Sequence, residues 1–235
     1  MNLEELLQAG FEELGLPLDE NMLRRYRIYC DYLAEINAVM NLTAIEGEEN
    51  TARLHFLDCA ALLTMENMGG KSLIDVGTGA GFPGLALKIA CPELKLTLLD
   101  SLDKRVNFLK NTCERLGFED VTCIHCRAEE APAEYRAAFD FAASRAVARL
   151  NLLCELCLPL VKVGGYFAAM KSVDADAELA SAAHAIEVLG GAVDHVTDYA
   201  IPGTEVHHRV IFIKKCRETG KKYPRAFAKI KKNPL

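Results

Sequence analysis

One stretch limits what this chain can fold into more than any other: Leu73-Ile74-Asp75-Val76-Gly77-Thr78-Gly79-Ala80-Gly81-Phe82-Pro83-Gly84. An apolar strand-like segment runs straight into Gly77. Glycines at 77, 79, 81 and 84 let the backbone turn sharply and approach a ligand closely. Pro83 suits the first turn of a helix, where no amide donor is needed. The pattern predicts strand, tight turn and then a helix from about Gly84 through Ile89, with free amides that favour electron-rich ligand groups.

The chain around this unit continues the alternation. Short apolar segments at Ser72–Val76, Leu94–Leu99, Val121–His125, Phe139–Ser144 and Tyr166–Met170 read as strands. Helical stretches such as Lys104–Leu116 and Leu150–Val161 lie between them. That grammar predicts a doubly wound parallel sheet. Ala192–Ile201 and Val206–Lys214 break it, because only a short loop with Pro202-Gly203 separates them, and a hairpin is expected there. The sum is an α/β fold, Rossmann-like, with a mostly parallel seven-stranded sheet closed by an antiparallel hairpin. Residues 1–68 read instead as an N-terminal helical extension. Leu3, Leu6, Leu7 and Leu14 recur at helical spacing, as do Leu23, Tyr26, Leu33, Ile36 and Met40 after a cap at Asp19. A third segment holds Leu54, Leu57, Ala61 and Leu62. The expected organisation is this extension, an α/β domain over 69–215, and a basic tail over 216–235 belonging to the same domain.

The net charge of −6 hides an asymmetry. Residues 214–235 carry nine Lys or Arg and one Glu, a net of +8, leaving 18 basic and 32 acidic residues elsewhere, a net of −14. An acidic body with a basic end points to a local anionic contact such as nucleic acid, or to a solvated tail. Nine cysteines scattered through strands and helices do not resemble a disulfide framework. The acidic, amphipathic N-terminus is no signal peptide, and no apolar run approaches the roughly 18 residues of a membrane span. A reduced, cytoplasmic, monomeric protein without a membrane anchor is expected.

Read literally, Gly79-x-Gly81-x-x-Gly84 matches the dinucleotide fingerprint, so a nicotinamide oxidoreductase is one reading. Two features oppose it. The tight turn begins at Gly77, out of register with that fingerprint, and Asp75 two residues earlier would repel a pyrophosphate. A methyltransferase using S-adenosylmethionine is the other reading, with Asp75 facing the ammonium end of that cofactor. Asp100, at the end of the second strand, is placed to hold ribose hydroxyls in either class. Ala128-Glu129 follows the third strand and is placed to frame an adenine. Ser144-Arg145 ends the fourth, where open α/β sheets bind ligands.

These segments, LIDVGTGAGFPG, LTLLDSLDKRVNFLK, RAEE, FDFAASRA and the ending KKYPRAFAKIKKNPL, resemble the ribosomal RNA small subunit methyltransferase G family, also called glucose-inhibited division protein B. MNLTAI and HFLDCA resemble its N-terminal signatures, so the likeness spans nearly the whole chain. It implies transfer of a methyl group from S-adenosylmethionine to N7 of one guanine in 16S rRNA. It also implies cofactor contacts at Gly77, Phe82, Asp100, Ser101, Ala128, Glu129 and Arg145, to which the reading of the loop itself adds Asp75, Gly79 and Gly81. Departures are small: GLALKIA for a proline-containing segment, AMKS where ALKG is usual, and Cys59 for Ser.

Guanine N7 carries a lone pair and no proton, so no general base is expected and no catalytic dyad is named. N7 lies in the deep, narrow groove of A-form RNA, so the target must sit in a loop or bulge, or be flipped out. Lys171, Lys221, Lys222, Tyr223, Arg225 and Lys229 are the expected RNA contacts, with Lys214, Lys215, Lys231, Lys232 and Phe227 beside them. Other readings stay open: another RNA, a small molecule or a protein as methyl acceptor, or an RNA chaperone that binds the cofactor without catalysis. Cys123-x-x-Cys126 and Cys154-x-x-Cys157 fit buried thiols better than zinc, and no metal is expected. His55 and Asp58, one helical turn apart, read as a surface hydrogen bond or as substrate-side groups. His207-His208 beside Arg209 reads as the start of an edge strand or a phosphate contact. Asn41 is a cap, a turn residue or part of an acceptor pocket.

Overall fold

A computed structural model describes residues 1–235. Helix α1 (Leu3–Glu13) starts with a reciprocal cap: the Asn2 side chain accepts from Glu5 N–H, and the Glu5 carboxylate accepts from Asn2 N–H. Helix α2 (Glu20–Met40) is capped by Asp19, as expected, and ends at Asn41, which is left-handed at φ 50°. Asn41 is thus a helix terminus. The third segment is helical but irregular. It runs through α3 (Glu48–Thr51), a π-helical stretch (Ala52–Leu57), α4 (Asp58–Ala60) and a 3-10 turn (Ala61–Thr64). Widened turns of this kind tend to occur at functional sites, and this one carries His55.

The sheet has strand order β3-β2-β1-β4-β5-β7-β6. Strands β1 (Ser72–Val76), β2 (Lys95–Asp100), β3 (Thr122–His125), β4 (Phe139–Arg145) and β5 (Val161–Ser172) pair in parallel. Strands β6 (Gly191–Ala200) and β7 (His207–Lys215) form the antiparallel hairpin, with β7 against β5. Helix α5 (Gly84–Ala90) follows the glycine loop and α6 (Asp103–Leu116) follows β2. They pack with α1 and α2 in one apolar cluster, while α7 (Leu150–Cys157), α8 (Asp176–Val188) and α9 (Phe227–Lys232) pack in a second. Chain order reverses between β1 and β4, which opens a crevice at the strands' C-terminal ends.

Two boundaries differ from expectation. Helix α7 stops at Cys157, a 3-10 turn with Pro159 follows, and Val161 already begins β5. Strand β5 is longer than Tyr166–Met170. Its early half contains Gly164 and Gly165, which mask the strand pattern. Gly165 is required there, since a Cβ would lie 2.4 Å from the Asp140 carbonyl oxygen.

Past β7 the basic segment folds back on the sheet. Arg136 donates to the carbonyls of Thr219, Gly220 and Tyr223. Lys215, fully buried, donates to Leu158 O and Thr219 Oγ1. Arg225 forms a forked pair with Glu155 (Nε–Oε1 2.8 Å, Nη2–Oε2 2.6 Å). The Glu155 side chain has no exposure and that of Arg225 only 16%. Removing one partner of a buried pair strands the other charge. Arg225→Ala should therefore lower unfolding stability by about 3 kcal/mol, and the double replacement Glu155→Leu with Arg225→Leu should recover most of it in urea unfolding.

Candidate active site

The glycine loop keeps its shape because its residues occupy conformations other side chains avoid. Gly77, Gly79 and Gly81 have φ of 70°, 60° and 103°. The N–H groups of Gly77 and Thr78 both donate to Leu99 O, which ties the loop to β2. Above Gly81 sits Tyr29 of α2, whose Oη would lie 2.5 Å from a Cβ at that position. Tyr29 in turn donates to Ala80 O at 2.5 Å. The N-terminal helices therefore brace the loop directly.

Asp75 does not face the crevice as the sequence reading placed it. It lies buried beneath the loop, where Oδ2 accepts from Thr78 Oγ1 (2.7 Å) and Gly84 N–H (2.8 Å). Its Oδ1 has no partner. Burial pushes this carboxyl up to about 6, against the pull of its two hydrogen bonds. Gly81 is closed in by Tyr29, Leu85 and Leu109 and Gly84 by Leu98 and Asp75, so neither lines the crevice. Asp100, in contrast, lines it. It ends β2, accepts from Gly79 N–H (3.0 Å) through Oδ2 and from Leu102 N–H (2.9 Å) through Oδ1, and lies 3.6 Å from Arg105 Nη1.

A cavity of about 490 Å³ opens here, lined by the loop together with Thr43, His55, Asp100, Ser101 and Arg145. A Cβ on Gly79 would have no neighbour closer than 4.0 Å, so that glycine faces open space. A second hollow of about 200 Å³ shares Gly77, Ser101 and Val147 with the cavity and adds Ala128, Glu129 and Phe227. Gly77, Gly79, Phe82, Asp100, Ser101, Ala128, Glu129 and Arg145 thus gather along one crevice.

One wall is a buried polar cluster that the sequence reading underrated. Arg145 Nη1 donates to Asp58 Oδ2 (2.8 Å) and Leu54 O (2.9 Å), and Nη2 donates to His55 Nδ1 (2.5 Å). Asp58 Oδ1 is met by Tyr199 Oη and by His208 Nδ1, both at 2.7 Å. His55 and Asp58 are buried rather than on the surface. Because Arg145 can only donate, His55 Nδ1 is an acceptor and Nε2 carries the proton, directed to Thr43 Oγ1 at 3.0 Å. The His55 ring stacks on Phe82 (4.1 Å, 8°), and the Arg145 guanidinium lies 5.1 Å from the same ring. Burial, and then the Arg145 charge, push His55 down to about 3. Burial works against ionised Asp58, yet its bonds to His208 and Tyr199 and the Arg145 charge hold it below the ordinary carboxylate value. The pairing of His55 with Asp58 at i and i+3 was the available signal. What hid its meaning was that Arg145, Tyr199 and His208 come from other parts of the chain.

The model of the rRNA small subunit methyltransferase G family matches residues 22–207. The chain belongs to this family. Curated members from Alkaliphilus metalliredigens and Acetivibrio thermocellus, each named ribosomal RNA small subunit methyltransferase G, are both 44% identical to it over all of this chain, and over 100% and 98% of their own lengths. A SAM dependent methyltransferase from Aquifex aeolicus (TM-score 0.53, 20% identity, 68% of this chain and 91% of that one) shares the fold. So does TrmN from Thermus thermophilus (TM-score 0.53, 21% identity, 67% and 48%). Membership makes the chain an S-adenosylmethionine-dependent methyltransferase and removes the nicotinamide reading and the non-catalytic one.

The basic residues of this family member divide in two. Lys215 and Arg225 are taken up inside the fold, as is the ring of Tyr223. Lys171 donates to Ala148 O and Glu178, both at 2.7 Å. Lys221, Lys222, Lys229, Lys231 and Lys232 are exposed. Arg209 is held by Asp198 and Asp176. The cysteine motifs do not form pairs of ligands: Cys123 faces Cys113 (Sγ–Sγ 4.0 Å), and Cys154 and Cys157 are buried in α7.

The neutral state of His55 has a consequence for stability. Its folded value is depressed from 6.5 to about 3, so in that window the unfolded chain takes up the proton first. The contribution is complete above about 6.5 and is lost as pH falls toward 3. Between about pH 7.5 and 5 this group alone costs about 2 kcal/mol, while Asp75, raised to about 6, takes up its proton first in the folded chain and acts in the opposite sense. His55→Gln, which does not titrate, should therefore gain about 2 kcal/mol relative to the unchanged chain across that window in denaturant unfolding, while loss through Asp58 begins only below its ordinary value of 3.8.

Proposed function

We propose that this chain transfers the methyl group of S-adenosylmethionine to N7 of a guanine in small-subunit ribosomal RNA. The observation that carries this reading is the ionisable lining of the cavity, His55, Asp100, Arg105 and Arg145. None of the four is a free base. Both nitrogens of His55 are spent on Arg145 and Thr43, Asp100 accepts from two backbone amides, and the arginines are cations. A wall of this kind suits an acceptor atom that brings its own lone pair and no proton. The names of the relatives, ribosomal RNA small subunit methyltransferase G, support the choice of RNA.

The crevice residues fit the cofactor. Each Asp100 oxygen keeps a lone pair beyond its backbone bond, enough for two ribose hydroxyls. Glu129, with its side chain 6% exposed, is an acceptor at the edge of the second hollow, suited to a purine amine. Gly77 and Gly79 allow close approach, and Ser101 and Ala128 complete the edge. Arg145 has three of its five donors engaged, which leaves donors to meet an anionic or carbonyl group in the cavity. S-adenosylmethionine supplies an electrophilic methyl group on a sulfonium. The protein's part is to position the guanine and exclude water, with oxygen atoms facing the charge that moves onto the purine. Lys221, Lys222, Lys229, Lys231 and Lys232 are the proposed phosphate contacts.

The deciding experiment is transfer of labelled methyl from S-adenosylmethionine to small ribosomal subunits that lack the modification. Label at a single N7-methylguanine is expected, and Asp100→Ala should weaken cofactor binding by roughly a hundredfold. Cofactor binding without label in the RNA would move the acceptor to another molecule. Changing the five exposed lysines to alanine should weaken RNA binding and flatten its dependence on salt, while cofactor affinity stays as it was. An unaltered salt slope would remove these lysines from the RNA contact.

A further inference from the structure

The second hollow has a wall that comes from an unexpected place. Its floor and sides belong to the sheet edge and to α7, through Val76, Leu99 and Leu156, with Ala128 and Glu129 from the turn after β3. Phe227 is the first residue of α9, in the C-terminal segment, and it too lines this hollow. It is only half-buried. It stacks on no other aromatic ring in the fold, and the Arg127 guanidinium lies over it at 5.9 Å from its ring centroid. Its position is nonetheless well determined. Two residues earlier Arg225 is clamped to Glu155, and three residues later Ile230 is fully buried in the α7–α8 cluster. A half-buried aromatic side chain that lines an open hollow and is anchored by its neighbours on both sides in the chain is a surface for a flat ligand.

We propose that Phe227 forms the outer wall of the purine-binding hollow, so that the C-terminal segment is a working part of the donor site rather than only a basic tail. This rests on the reading above that the hollow receives the adenine of S-adenosylmethionine. Lys229, Lys231 and Lys232 project from the same six-residue helix into solvent. One short helix then serves two ligands: its aromatic residue meets the purine and its cations meet phosphate.

The test is calorimetric titration of the full-length chain with S-adenosylhomocysteine, which needs no RNA and no turnover. Phe227→Ala should bind about tenfold more weakly. Phe227→Leu keeps apolar volume but loses the plane, and should also weaken binding, with its urea midpoint unchanged. The triple replacement of Lys229, Lys231 and Lys232 by alanine should bind like the unchanged chain. Affinities within twofold of the unchanged chain for both Phe227 variants would overturn the assignment while leaving the proposed function intact. Failure of the unchanged chain to bind S-adenosylhomocysteine would overturn both.

Discussion

The ion pair between Arg145 and Asp58 is the point on which the rest of this structure depends. Asp58 is completely buried, and a carboxylate there is tolerable only with a cation and hydrogen bonds around it. Arg145 ends β4, Asp58 belongs to the N-terminal helical segment, and Tyr199 and His208 arrive from the two strands of the hairpin. Three parts of the chain far apart in sequence are therefore joined by one charge. The same guanidinium settles which nitrogen of His55 is protonated and lies against Phe82, which fixes one wall of the cavity. Its two structural duties are not separable, because the donor that holds Asp58 also fixes the plane of the one that meets His55.

The glycine loop is governed from both sides. From beneath, Asp75 receives Thr78 and Gly84 and draws the loop down onto β1. From above, Tyr29, with Leu85 and Leu109, fills the space a side chain at Gly81 would need. The cavity lies between the loop and Asp100. A carboxylate before the loop and another at the end of the next strand thus differ in place, one sealed beneath the loop and one lining the cavity. Sequence position does not distinguish them, because both sit at strand ends.

Much of this was legible in the sequence because it is local. The strand running into Gly77, the cap at Asp19, the alternation of elements and the hairpin across Pro202-Gly203 are each written in fewer than about a dozen residues. Position at the strand ends extended that reading to Asp100, Ala128, Glu129 and Arg145, which gather along one crevice. What stayed hidden depends on long-range burial. His55 and Asp58 read as a surface pair because their partners lie some 90 and 150 positions away in the chain. The basic tail read as one uniform patch because nothing local shows that Lys215 and Arg225 turn inward while Lys229 and Lys231 turn outward. Glu155, the partner of Arg225, carries no signal of its own within an apolar helix.

The joining of helices, sheet and hairpin at Asp58 bears on how this chain can change. Many α/β scaffolds carry extensions that can be trimmed, exchanged or lengthened because few contacts cross the boundary. Here the opening helices contribute Tyr29 to the loop, Thr43 and His55 to the cavity wall, and a buried charge to the far edge of the sheet. They are not a module. Recombination that swapped the first third of the chain with that of a distant relative would have to carry the hairpin with it, so the inheritable unit is the whole polypeptide.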